Sequence, residues 1–234
     1  MVGGGEGPDE LVISGSARFK GASINEDKDI VIDGGRVSLK KINTSGELFV
    51  KSESALYVAQ SVNAETGITL KSRVGPVCSL ECGGNVSAGE LLIINGEFFV
   101  KGNLEVKRRI SINPGLLDSK SNVFAEQLMA VTKSQNQKDE AIVAKGSVYV
   151  LDWGATQNCK MAIKGWFLTS INNRDWGVLM NSNYMDKDQR KAFESYVRRF
   201  HPSNSNWQAI ITQREETKNN RRLKLYAKMG GTTR

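Results

Sequence analysis

The sequence predicts a β-solenoid, a three-sided parallel β-helix with a hexad repeat, followed by a smaller α+β domain. Two patterns predict the solenoid: large apolar residues recur at every sixth position, and Gly or Ser recurs between them. Apolar residues make up only 39% of the chain, so chance explains a long unbroken run poorly. The run occupies eleven positions: Val50, Leu56, Val62, Ile68, Val74, Leu80, Val86, Leu92, Phe98, Leu104 and Ile110.

Each repeat has the pattern of a short strand and a bend. The residue two places after each repeat position is mostly apolar or small, and the residue between is mostly polar. An apolar pair at i and i+2 is typical of a strand with one buried face, and Gly or Ser supplies the bend. With three sides, one coil takes about 18 residues. The predicted columns of stacked residues are Val50–Ile68–Val86–Leu104, Leu56–Val74–Leu92–Ile110 and Val62–Leu80–Phe98.

Upstream of Val50 the pattern is looser, and we expect one or two irregular coils with an inserted residue near Gly34 and Gly35. Residues 1–10 are expected to be a flexible tail, and 11–113 the β-solenoid domain. The Gly-rich, acidic start is unlike a secretory signal, which is basic and then apolar. A β-sandwich of short strands is the competing interpretation.

The apolar hexads from about Val12 to Ile112 resemble those of bactofilins, bacterial cytoskeletal proteins with a three-sided right-handed β-helix. The resemblance rests on this pattern and covers somewhat under half of the chain. It implies nucleotide-free polymerisation by stacking of solenoid ends. The chain differs from bactofilins after the solenoid, because it continues for a further ~120 residues where those proteins usually carry only short tails.

Asn113-Pro114-Gly115 predicts the domain boundary, because Pro lacks the ladder donor and Pro-Gly favours a turn. Residues 116–234 are then a basic α+β domain. Phe124, Leu128 and Val131 predict a short amphipathic helix over 121–132. The β-leaning runs are 146–151, 161–170 and 177–180, and a closing hairpin is expected over 207–226.

A second helix is predicted from Asp186, its capping residue, to about Phe200, because apolar residues recur there at helical spacing and Pro202 comes just after its end. The apolar stripe of this helix consists of Phe193, Tyr196, Val197 and Phe200.

The positive charge is concentrated near the C-terminus. The chain carries 32 Lys and Arg against 25 Asp and Glu, a net charge of +7, whereas residues 187–234 hold 12 basic and 4 acidic side chains. Cations interleaved with aromatic rings favour binding to RNA or DNA, although lipid head groups, an acidic protein or plain solvation of a basic surface fit the same charge. The predicted nucleic-acid or anion-binding residues are Arg198, Arg199, Trp207, Arg214, Arg221, Arg222 and Lys224.

No residues are predicted to be catalytic, and no metal or cofactor is expected. Cys78 and Cys82 have no His or second Cys pair nearby in sequence, so we interpret them as small core or corner residues. His201, the one histidine, is the candidate general base of a hexapeptide-repeat acyltransferase. Its place beside Pro202 favours instead the end of a helix, where an imidazolium complements the helix dipole.

No apolar run reaches the roughly 18 residues that a transmembrane helix needs. Three cysteines are too few and odd in number for a disulfide framework, which indicates a reducing compartment or indifference to redox, and we expect a cytoplasmic protein. The leading hypothesis is a non-enzymatic scaffold, homo-oligomeric through its solenoid and bound to an anionic partner through its basic C-terminal domain. The alternatives are a nucleic-acid-binding viral or phage structural protein and the acyltransferase.

Overall fold

The computed structural model describes residues 4–7, 10–19, 21–73, 77–130, 141–155, 161–165, 167–169 and 187–201. The chain divides into two compact units, Met1–Ile171 and Asn172–Arg234. The first unit is a parallel β-solenoid of about seven turns, so the predicted solenoid class is confirmed. No helix among the described residues is both long and apolar enough to cross a membrane.

The described part of the first unit contains 21 strands, which are named here in chain order. They are β1 (Gly4–Gly7), β2 (Glu10–Ser14), β3 (Ala17–Arg18), β4 (Ser23–Glu26), β5 (Asp29–Asp33), β6 (Gly35–Thr44), β7 (Glu47–Lys51), β8 (Ser54–Ala64), β9 (Gly67–Lys71), β10 (Cys78–Cys82), β11 (Val86–Ala88), β12 (Leu91–Ile94), β13 (Gly96–Val100), β14 (Leu104–Val106), β15 (Arg109–Ile112), β16 (Gly115–Ser119), β17 (Val123–Ala130), β18 (Ile142–Ala144), β19 (Val148–Ala155), β20 (Met161–Ile163) and β21 (Phe167–Thr169).

Successive coils contribute their strands to three parallel ladders. The first ladder contains β2, β5, β7, β9, β12, β15 and the second halves of β17 and β19. The second contains β3, the first parts of β6 and β8, then β10, β13, β16, β18 and β20. The third contains β4, the second parts of β6 and β8, β11, β14, the first parts of β17 and β19, and β21. This parallel pairing rules out the β-sandwich alternative, whose sheets are antiparallel.

The inward side chains of the three ladders form one apolar core that runs along the solenoid. Leu92 differs from the other repeat positions: Leu91 and Ile93 on either side of it point inward, so Leu92 itself is outward and half-buried. Val74 lies outside the described residues. The other nine repeat positions are buried: Val50, Leu56, Val62, Ile68, Leu80, Val86, Phe98, Leu104 and Ile110.

The predicted columns are only partly right, because the coils differ in length. Leu80 does pair with Phe98, 18 residues later, but Leu56 pairs with Leu80, which is 24 residues later. The longer coil contains a six-residue connection, 72–77, between β9 and β10. The connection is as long as one six-residue repeat, so apolar residues still recur at every sixth position after it. Each later repeat position, however, belongs to a different ladder from the one that an 18-residue coil predicts. Val62 therefore pairs with Val86 instead of Leu80.

A second long connection, residues 131–141, joins β17 to β18. Both long connections lead from a strand of the first ladder to a strand of the second. They therefore occur at the same corner of the coil. In coils without a long connection, residues that pair in adjacent coils are 18 to 20 positions apart in the sequence.

The solenoid does not end at the predicted boundary, so the limits 11–113 and 116–234 are wrong. Strands β16 to β21 continue the same ladders to Thr169. Pro114 lies in a corner between β15 and β16, where its carbonyl oxygen accepts a hydrogen bond from the Asn95 backbone N–H at 2.6 Å. At a corner, the missing N–H of proline removes no ladder bond.

The helix predicted over 121–132 is wrong, since this segment forms strand β17. The strand passes through a corner at Glu126, and Val123 before that corner and Leu128 after it belong to different ladders. The change of alternation at the corner produced apolar spacings of three and four, which imitate a helix.

The flexible tail predicted for residues 1–10 is also wrong in part. Strand β1 pairs antiparallel with β2, with Gly4 opposite Ile13 and Gly7 opposite Glu10. The outer edge of β2 is therefore covered by the chain's own N-terminal segment.

The described part of the second unit contains one helix, α1 (Lys187–Phe200), which confirms the predicted helix. Phe193, Tyr196 and Val197 of its apolar stripe are buried. The capping residue Asp186, the β-leaning run 177–180 and the hairpin over 207–226 lie outside the described residues.

Cys78 and Cys82 provide a test of the core. Both are buried, and burial raises the pKa of Cys78 from 9.0 to about 11 and raises the pKa of Cys82 as well. Because the thiolate is the reactive form, a Cys159→Ser protein is expected to react with an aromatic disulfide reagent at pH 8 about 100-fold more slowly when native than in urea. The native rate should rise as the pH increases from 9 to 11. Equal native and unfolded rates at pH 8 would contradict the buried positions.

Candidate self-association end and basic helix

The N-terminal end of the solenoid contains an open apolar recess of about 310 Å³. Phe19 at its rim is 39% exposed. The recess lies at the first coil, and none of the described residues forms an earlier coil over its inward side chains. Its lining consists of Leu11, Val12, Ile13, Phe19, Ala22, Ile24 and Leu39.

The first coil is less buried than the second. Leu11 and Ile24 are half-buried, whereas their partners in the next coil, Ile30 and Ile42, are fully buried. The sequence accounts for part of this difference, because β3 is only two residues long and β4 presents Ser23, Asn25 and Glu26 around a single apolar residue. A short, polar coil covers little of the core beneath it.

The same end also presents strand edges. Among the described strands, β3 and β4 each pair only with β6, so their other edges have no strand partner. An unpaired edge offers backbone N–H and C=O groups to a further strand. Arg18 in β3 and Glu26 in β4 are the charged side chains of these two edges. The end of the solenoid therefore combines apolar surface with backbone groups available for pairing.

Two of the predicted anion-binding residues, Arg198 and Arg199, lie in the last turn of α1 and are exposed. The Arg199 guanidinium lies over the Phe200 ring, 4.8 Å from its centroid. The Phe200 ring in turn lies 5.4 Å from that of Tyr196, which is buried. The helix therefore presents a pair of adjacent cations beside aromatic rings that pack together.

The other predicted anion-binding residues, Trp207, Arg214, Arg221, Arg222 and Lys224, lie outside the described residues, so their part in such a site stays a prediction.

His201 lies directly after α1, as the sequence indicated. Its backbone N–H donates to the Val197 carbonyl at 2.8 Å, and its ring lies 5.7 Å from that of Tyr196. It is not on a strand or corner of the solenoid. The described residues also contain no cluster of three or more His, Cys, Asp and Glu that could hold a metal ion.

The apolar pattern upstream of Val50 predicts irregular coils, and a solenoid is expected to expose strand edges at its ends, but the pattern does not reveal the recess. The available signal was the sparse apolar content around Phe19 and Ile24, compared with the dense content of the later coils. A second missed feature is a triplet of Lys, Gly or Ser, and Asn or Ser, which begins at Lys101, Lys120 and Lys145 in three consecutive coils; Lys164-Gly165 repeats its first two residues in the next coil.

No family model, curated protein sequence or solved structure matches the chain. The likeness to bactofilins therefore stays a prediction from the apolar pattern.

The open end predicts unequal effects of the same truncation in the first and third coils. Leu48 is fully buried, so Leu48→Ala should lower the free energy of unfolding by about 2–5 kcal/mol. Leu11 lies two coils earlier in the same ladder and is half-buried, so Leu11→Ala should cost less than about half as much in dilute protein. Urea denaturation measures both values. Equal losses would mean that the first coil is as well covered as the third.

Proposed function

We propose that this protein is a non-enzymatic scaffold that associates with itself through the N-terminal end of a three-sided solenoid. In this proposal the residues after the solenoid form a basic α+β module that engages an anionic partner. The observation that carries the self-association is the coincidence of the apolar recess and the unpaired edges of β3 and β4 at one end.

A second copy of the chain is the occupant that fits this end. In a two-fold interface the same surface of both copies meets. The apolar recess of one copy can pack against that of the other, and the strand edges beside it can pair with those of the other, so this end is self-complementary. A two-fold axis perpendicular to the solenoid reverses the direction in which the strands run, so every pairing across it is antiparallel. The pairing of β1 with β2 supports this arrangement, because the edge of the first coil already takes an antiparallel strand there.

The three ladders suggest how two copies would meet. Suppose that the two-fold axis passes through the side that carries β1 and β2. This side of one copy then faces the same side of the partner, and each of the other two sides faces the other one of the partner. Strand β3 of one copy then lies beside β4 of the partner, and the reverse. Both strands are short, which suits a contact whose energy comes mainly from closing the two recesses against each other.

The chain offers a matched pair of variants to test this proposal. Phe19 lines the recess and is 39% exposed, while Tyr57 lies on β8, away from either end, and is 40% exposed. Phe19→Glu should convert the oligomer to a monomer at tens of micromolar, because it places a charge in the apolar contact. Tyr57→Glu should leave the oligomer intact.

Size-exclusion chromatography with light scattering gives the mass of each species. A monomeric wild-type protein at the same concentration, or equal masses for the two variants, would overturn self-association through this end. Circular dichroism of both variants checks that the β-structure is retained.

A nucleic-acid-binding structural protein is the second candidate, and the two exposed cations at the end of α1 favour it. The Arg221→Ala, Arg222→Ala double variant should weaken binding to single-stranded RNA at low salt, because each cation neutralises a phosphate. Arg36→Ala with Arg73→Ala is the matched control, since both arginines are exposed on early coils. Fluorescence anisotropy of labelled RNA measures the affinity. Full affinity in the Arg221, Arg222 variant would remove those residues from the site.

A further inference from the structure

One corner of the solenoid carries a lysine at the same place in four consecutive coils. These residues are Lys101, Lys120, Lys145 and Lys164, each of which comes directly after a strand of the second ladder, β13, β16, β18 and β20 respectively. A Gly or Ser comes next in the chain, and then Asn103, Asn122 or Ser147 in the first three coils. We call the four lysines the corner lysine row.

Backbone hydrogen bonds keep the row in register. The N–H of Lys120 donates to the carbonyl of Val100, the residue just before Lys101, at 2.8 Å. Lys145 donates in the same way to Ser119, and Lys164 to Ala144, both at 2.9 Å. Each lysine is therefore stacked on the one a coil earlier, at the strand spacing of about 4.8 Å.

Side chains of the same corner make it rigid. The Asn85 Oδ1 accepts from the Asn103 N–H at 2.9 Å, and the Asn122 Oδ1 accepts from the Ser147 N–H at 3.0 Å. Between them, the Asn103 Oδ1 accepts from the Ser121 hydroxyl at 2.6 Å.

The glycines that follow three of the lysines, Gly102, Gly146 and Gly165, pack too closely for a larger side chain. A Cβ on Gly146 would lie 2.5 Å from the Ser121 carbonyl carbon, and one on Gly165 would lie 2.6 Å from the Gly146 oxygen. The lysine backbones are thus held at a fixed spacing before any ligand arrives.

The charge of the row is only partly neutralised. Lys101 lies 3.3 Å from Glu81, and Lys120 pairs with Asp118. Lys145 and Lys164 are exposed and make no ion pair within the part of the chain that the structure describes. Both side chains of the Lys101–Glu81 pair are exposed, so this pair contributes only about 0–1 kcal/mol and Lys101 remains available for exchange. In the Lys120–Asp118 pair the carboxylate side chain is mostly buried.

We propose that the corner lysine row binds the phosphate backbone of single-stranded nucleic acid. Four like charges on a line about 14 Å long repel one another, and a ligand with negative charges repeated along a line relieves that repulsion at every site. A single phosphate would engage at most two neighbouring lysines. The four lysines contact only the phosphates of the nucleic-acid backbone, so binding should be independent of base sequence.

This inference rests on the proposed function for the class of partner, and it adds a site on the solenoid itself. The test compares a Lys101, Lys120, Lys145, Lys164→Gln variant with a Lys40, Lys41, Lys51, Lys71→Gln variant. All eight lysines are exposed; two of the corner set and one of the control set, Lys51, are in an ion pair with a carboxylate. Both variants lose four charges, so a difference between them reports position and not net charge.

The measurement is the affinity of full-length protein for poly(U) as a function of salt. Each neutralised phosphate contributes about 0.7 to the slope of log K against log salt concentration for single strands. The corner variant should therefore lower the magnitude of that slope by up to about 2.8, while the early-coil variant keeps the wild-type slope. Poly(A) should give the same values as poly(U).

Three results would overturn the inference. Equal slopes for wild type and the corner variant, with binding lost only in the Arg221→Ala, Arg222→Ala protein, would remove the row but leave the anionic partner of the proposed function. Binding of a sulfated polysaccharide through the row without binding of poly(U) would refute the assignment to nucleic acid. Absence of binding to poly(U) and to the polysaccharide by the wild type at low salt would refute the row and the nucleic-acid partner together, while light scattering tests self-association separately.

Discussion

Stacking of one coil on the next is the interaction on which the whole solenoid depends. A single coil encloses only a few inward side chains and has no core of its own, so each coil is stable only against its neighbours. The ladders therefore continue past Pro114 to Thr169, because each later strand can pair with a strand one coil earlier. The same dependence makes the first coil the weakest point, because β3 and β4 pair only with β6 among the strands that the structure describes.

The sequence was sufficient to predict strands, bends and the solenoid class for the first half, since buried residues such as Val62 and Phe98 alternate with polar ones. It did not reveal which residues stack, because the connection 72–77 preserves the apolar phase while shifting the ladder. The second half was misread because a strand through a corner, as in β17, produces helix-like spacing. Helix α1 was predictable from its stripe and its charged last turn.

The candidate surfaces were less accessible to sequence reasoning than the fold. Arg198 and Arg199 were identified from charge and are exposed, but the recess at Phe19 and Ile24 depends on which coil comes first. The corner lysine row depends on register, since its members are 19 to 25 residues apart and align only when the coils are stacked. The two solenoid surfaces use different chemistry: one offers apolar side chains and strand edges, and the other offers cations on a hydrogen-bonded corner.

The two long connections, 72–77 and 131–141, have a practical consequence. Both lie at the corner between the first and second ladders, and the strands on either side keep their pairing despite five or six added residues. This corner therefore accommodates extra chain at little thermodynamic expense, as loop-closure entropy grows slowly with length. A fluorescent reporter or affinity tag inserted at this corner would allow the protein to be followed in cells without changing its stacked ladders or its termini.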